Sequence, residues 1–205
     1  GSKENIKVEM EDIRHKMRKH DAKASIALIV DISGSMFFEG KVNRIKGILY
    51  RIMENINRHQ DKISVIGFKG DEAEIIIPTT RRAFSFKDQL DNLTVGGTTP
   101  LASGLKKGFD ILLKEKLQDE YIPLMIIFTD GMPNVGFNKK FSSLSNKYLH
   151  DLGFPIELDN SPVEDAIRIA ENLKDKEINT LVVNFGKEEL GHEFNMDLSK
   201  VSGGR

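Results

Sequence analysis

The sequence predicts an α/β fold, a three-layer sandwich whose mostly parallel sheet carries one antiparallel edge strand. Three observations predict it. Residues 25–30 and 122–129 are short, nearly all-apolar runs without polar alternation, the pattern of strands buried on both faces. Segments with apolar residues at helical spacing follow these runs, as parallel strands joined by crossover helices require. Gly70-Asp71 punctuates two adjoining strand-like runs, a hairpin signal that supplies the antiparallel edge.

Taken in order, residues 3–23 are highly charged, with Ile6, Val8, Met10, Ile13 and Met17 spread through them, and read as a leading arm or amphipathic helix. Gly1-Ser2 reads as a scar of tag removal. The division expected is therefore an arm over 1–23 and one domain over 24–205, a length that a single hydrophobic core supports. The first strand, 25–30, ends at Asp31. Residues 42–58 place Ile45, Ile48, Leu49, Ile52, Met53 and Ile56 on one helical stripe that packs on the sheet. Strands follow at 62–68 and 73–77, the second stopped by Pro78. A short helix is expected over 86–93. A longer one over 101–113 follows Pro100, a residue suited to a first helical turn. The strand at 122–129 meets Asp130 at its end. After a long polar stretch, Ser161-Pro-Val-Glu opens a helix to 173 with a serine cap and capping box. A strand at 180–185 and a helix at 189–201 complete the fold.

Thirty basic against 31 acidic residues leave a net charge of −1, so no global field draws the chain to nucleic acid or to an anionic membrane. There is no cysteine, which excludes a disulfide scaffold, thiolate ligands and a cysteine nucleophile, and fits a soluble, cytoplasmic protein. The apolar runs are far shorter than the roughly 20 residues that cross a bilayer. Recognition is therefore expected to be local.

Ligands of open α/β sheets sit beyond the carboxyl ends of the strands. Three stretches converge there: Asp31-Ile-Ser-Gly-Ser35, Gly96-Gly-Thr-Thr99 and Thr129-Asp-Gly131. Asp31, Ser33, Ser35, Thr99 and Asp130 offer carboxylates and hydroxyls, with no imidazole or thiolate among them. Oxygen donors alone suit a hard cation such as Mg2+, with Mn2+ or Ca2+ as alternatives, rather than zinc or copper. In an extended segment, residues two apart point to one side, so Asp31, Ser33 and Ser35 can face one ion.

Together these three stretches resemble the metal ion-dependent adhesion site of von Willebrand A and integrin I domains. The resemblance implies the Rossmann-like fold of that family, with Asp31, Ser33, Ser35, Thr99 and Asp130 as metal ligands and Thr98 as the fallback for Thr99. It also implies that aspartates matching Asp31 and Asp130 act through water, and that a partner protein's Asp or Glu completes the shell. Residues 58–74, Pro78, Gly-Gly-Thr-Thr-Pro-Leu-Ala at 96–102 and the terminal Gly203-Gly-Arg are similar to the carboxy-terminal domain of magnesium and cobalt chelatase D subunits. That similarity implies work with an AAA+ ATPase that drives metal insertion into a tetrapyrrole. These 205 residues carry no Walker loop, and residues 136–160 exceed the family's usual loop, which leaves a differently employed relative as an alternative.

Other features read more plainly. His15, His20, His59, His150 and His192 lack ligand spacing and read as surface residues. Arg81-Arg82 reads as a solvated turn, and Lys139-Lys140 and Glu188-Glu189 as solvated faces. Met36, Phe37 and Phe38 serve either as an apolar rim to the metal motif or as core. A metal-assisted phosphohydrolase with Asp31 as nucleophile is the competing enzyme reading, weakened because phosphatases of the haloacid dehalogenase type place a second aspartate where Ser33 stands. A structural domain with no ion is the third.

Overall fold

A computed structural model describes residues 23–118, 121–138 and 161–204, apart from the side chains of 39, 57–59 and 161. The expected arm, and the histidines and lysines at 15, 20, 139, 140 and 150, lie outside them.

Five strands form one sheet in the order β3-β2-β1-β4-β5: β1 (Lys23–Asp31), β2 (Lys62–Lys69), β3 (Glu72–Thr80), β4 (Tyr121–Thr129) and β5 (Asn179–Asn184). All neighbours run parallel except β2 and β3. Among the described residues, five α-helices flank the sheet: α1 (Lys41–His59), α2 (Lys87–Asp91), α3 (Leu101–Lys116), α4 (Ser161–Asp175) and α5 (Glu189–Val201). The serine cap expected for α4 falls on a side chain outside the described residues.

Because side chains alternate along a strand, β1 and β4 feed two cores at once. Ile26, Leu28 and Val30 of β1 and Leu124, Ile126 and Phe128 of β4 pack with Ile45, Leu49, Ile52, Met53 and Ile56 of α1. Ala27, Ile29, Met125 and Ile127 pack on the other face with Leu101, Leu105 and Leu112 of α3, Ala166 and Leu173 of α4, and Phe194 and Leu198 of α5. This is why both runs are apolar at nearly every position: neither face meets water.

Two expectations need correction. The edge strand β3 does not stop at Pro78 but continues to Thr80. Its pairing with β2 shifts register there, with Val65 opposite Ile77 and Ile63 opposite Thr80. A proline lacks an N–H, and an edge strand with a local irregularity accommodates it without losing a ladder bond on its free side. The helix expected over 86–93 is a 3-10 turn, Ala83–Phe86, continued by the short α2 and anchored by the buried Ala83 and Leu90. α3 opens at Leu101, directly after Pro100, as its expected range had it.

β1 lies between β2 on one side and β4 on the other, so the chain changes direction of sheet growth beside β1. The crevice at such a switch point, at the carboxyl ends of β1 and β4, is where this architecture places a site.

Candidate metal centre

Asp31 closes β1, and Asp130 follows directly on β4. With Val30 opposite Phe128 in parallel register, the two carboxylates arrive side by side at the same end of the sheet. Asp31 is 1% exposed. Its Oδ1 accepts from the Ser33 amide at 2.9 Å, and its Oδ2 from the Thr129 hydroxyl at 3.0 Å. Burial lifts this carboxyl from 3.8 to about 6, hydrogen bonds from Ser33 draw it back, and the charge of nearby Asp130 adds to the rise. A carboxylate held so is short of positive charge.

Ser33 adopts an extended backbone, φ −69° and ψ 175°. Ser35 already lies in the 3-10 turn Gly34–Gly40, so the segment is not extended throughout as expected, yet the hydroxyls of Ser33 and Ser35 lie 3.1 Å apart. Ser35 Oγ in turn donates to Asp130 Oδ1 at 2.8 Å. Four of the five expected residues thus belong to one cluster. The fifth, Thr99, is buried on the glycine loop, whose position is fixed from three sides. Gly34 N donates to Gly97 O at 2.9 Å, Gly96 N to Ile32 O at 2.9 Å, and Gly70 N to Thr98 O at 3.1 Å. Gly97 has φ +80°, and a Cβ there would come within 3.1 Å of Gly70 N, so the loop needs glycine for both conformation and approach. The Thr98 hydroxyl donates to Gly70 O and is thereby committed to the hairpin turn. Thr99 N donates to Asn134 Oδ1 at 2.6 Å, and Asn134 N to Thr99 O at 3.2 Å, tying this residue to the loop after Asp130. Its hydroxyl takes no part in the Ser33–Ser35–Asp130 network among the described residues.

Two participants escaped the sequence reading. Asn134 is the clamp on Thr99. Lys41 places its Nζ 2.7 Å from Asp130 Oδ2, with side chains 13% and 5% exposed respectively. A signal for Lys41 existed: it is the first residue of α1, a cation at the positive end of a helix dipole, in a first turn without an acidic residue. A residue so placed needs an external anion.

The Met36–Phe38 stretch divides. Met36 is fully buried, whereas Phe37 and Phe38 are 73% and 66% exposed and meet edge to face with ring centroids 6.1 Å apart. Arg81 is exposed as expected, but it also donates to the Tyr121 hydroxyl and lies 5.8 Å from that ring's centre. His192 is exposed, near Asn184.

The donor set fits a hard divalent cation. Two carboxylates and neighbouring hydroxyls converge, and no cluster of three acidic or imidazole side chains forms a competing centre among the described residues.

Behind the cluster, Phe185 N donates to Thr129 O at 2.8 Å. Gly186 lies so close that a Cβ there would fall 1.8 Å from Asp130 O, and a Cβ on Gly191, in α5, would come within 3.1 Å of Gly131 Cα. The Asp130 loop therefore rests on the backbone that leads into the last helix.

A five-stranded sheet of this order with its carboxylate-hydroxyl crevice defines the class, and the von Willebrand factor type A domain family matches residues 26–132; the chain belongs to that family. Within it, the chain is similar to magnesium-chelatase subunits: 28% identical over 137 residues to the 67 kDa subunit of Chlorobaculum tepidum, covering 67% of this chain and 22% of that one. It is 29% identical over 138 residues to the 60 kDa subunit of Rhodobacter capsulatus, covering 67% and 24%. The chain spans less than a quarter of the length of these two relatives. Among solved structures, the fold is shared with manganese-loaded Plasmodium vivax TRAP protein (TM-score 0.60, 19% identity, 88% and 63% covered). It is shared too with the vWF domain of the pilus tip protein Mfa5 of Porphyromonas gingivalis (TM-score 0.65, 12% identity, 88% and 86% covered). No helix among the described residues is long and apolar enough to cross a membrane.

Proposed function

We propose that this domain is a cation-dependent protein-binding module, in which Asp31, Ser33, Ser35, Thr99 and Asp130 hold one divalent cation, Mg2+ in the first instance. The observation that carries the reading is the Ser33–Ser35–Asp130 network beside a buried Asp31 whose burial leaves its charge poorly compensated. When bound, the ion supplies a Lewis-acidic position for a carboxylate oxygen. The chain's own residues do the rest. Ser33 and Thr129 orient Asp31, Ser35 orients Asp130, and Asn134 ties the threonine loop to the segment that follows Asp130. Neutral hydroxyl donors leave the site's charge low enough for an incoming Asp or Glu from a partner protein to gain by completing the shell.

The similarity to magnesium-chelatase subunits supports a more specific form: a cytoplasmic chelatase-type role beside an AAA+ ATPase. A vWA adaptor of another AAA+ system uses the same chemistry. The phosphohydrolase reading loses ground because both Asp31 oxygens accept hydrogen bonds and the residue is buried, a poor posture for a nucleophile.

Calorimetric titration with Mg2+ and Mn2+ tests the proposal. Binding at a single site, abolished by Asp31→Ala, is expected; an intact protein that takes up neither ion would remove the mechanism and leave the fold.

A further inference from the structure

We propose that Lys41 is a built-in rival of the cation, whose ammonium contends for Asp130 and so sets the cation concentration at which the site fills. The inference rests on the metal-site reading above and concerns a residue outside the ligand set. Both oxygens of Asp130 accept: Oδ1 from Ser35 at 2.8 Å, and Oδ2 from Lys41 at 2.7 Å. The pair is largely shielded from solvent, so water screens it less than a surface ion pair. Lys41 is in this position for a structural reason. The 3-10 turn Gly34–Gly40 carries the chain from Ser35 to α1, and Gly40, with φ +67°, makes the joint. The lysine that opens α1 thereby returns to the motif from which the turn departed.

The pairing runs against the helix dipole, which disfavours a cation in the first turn. Asp130 supplies the compensating charge. A dication that draws on the same carboxylate must weaken that compensation or bear the repulsion of an ammonium one carboxylate away, and either lowers its affinity. By linkage the effect is reciprocal: filling the site loosens Lys41. Asp31, whose oxygens accept from Ser33 and Thr129, forms no ion pair with Lys41 among the described residues.

The test compares wild type, Lys41→Met, which keeps the apolar stem, and Lys41→Arg, which keeps the charge. Calorimetry with Mg2+ should show about tenfold tighter binding for Lys41→Met and nearly unchanged binding for Lys41→Arg. In parallel, wild-type protein is acetylated at fixed pH in Mg2+ or in chelator and read by mass spectrometry. Lys41 labelling should rise several-fold with Mg2+ while the exposed Lys174 stays constant. Unchanged or weaker affinity in Lys41→Met, or Lys41 labelling indifferent to Mg2+, would overturn the proposal while leaving the metal site intact. Mg2+ binding in none of the three proteins would overturn the metal-site reading, and this inference with it.

Discussion

At the scale of single residues, Asp31 concentrates the conflict between stability and function. Its carboxyl is lifted to about 6 because burial disfavours the charge. The folded form therefore holds its proton more tightly than the unfolded chain, and this residue's contribution lowers stability as pH rises from 3.8 to about 6. Asp31→Asn removes the buried charge while keeping an oxygen for the Ser33 amide. In chelator at pH 7.5 it should gain on the order of 1–3 kcal/mol in urea unfolding, and its stability should lose the decline across that pH window. Mg2+ binding should vanish in the same variant. A loss of stability in chelator would contradict the account of Asp31. The residues of this cluster were legible because a strand-end aspartate, alternate serines and a second strand-end aspartate are local patterns. Lys41 was less so, since its partner lies 89 positions away and no local pattern joins them. Met36 and Phe37 are adjacent in sequence and opposite in burial, a division set by the 3-10 turn rather than by their similar hydrophobicity.

At the scale of elements, alternating apolar runs and amphipathic helices gave β1, α1, β2, β4 and α5 nearly to the residue. The misplaced end of β3 has a physical cause: proline opposes a central strand, and nothing local to Pro78 reveals that its strand is an edge with a register shift. The contact of Asp130 with Gly186 was likewise beyond reach, since it joins the ends of two strands in the finished sheet. It yields a prediction. Gly186→Ala forces a methyl into the Asp130 carbonyl, where the ideal Cβ position is 1.8 Å away. The variant should lose about 1–3 kcal/mol in urea unfolding, with weaker Mg2+ binding as Asp130 is displaced. Wild-type values for both would show that the Asp130 loop does not depend on the approach to α5.

At the scale of the whole molecule, one sheet serves two cores, and the crevice lies where sheet growth changes direction beside β1. An ion bound there ties the β1 loop, the glycine loop and the β4 loop together, and should stabilise the entire fold by linkage. At a hundredfold excess over Kd the gain is about 2.7 kcal/mol, visible as a higher Tm with Mg2+ in wild type and no shift in Asp31→Asn. Equal shifts in both proteins would place the ion elsewhere. The most direct test of the central claim is an anomalous difference map from crystals grown with Mn2+. The account predicts one strong peak among Asp31, Ser33, Ser35, Thr99 and Asp130; a map without a peak there, or with its peak away from those five side chains, would contradict it.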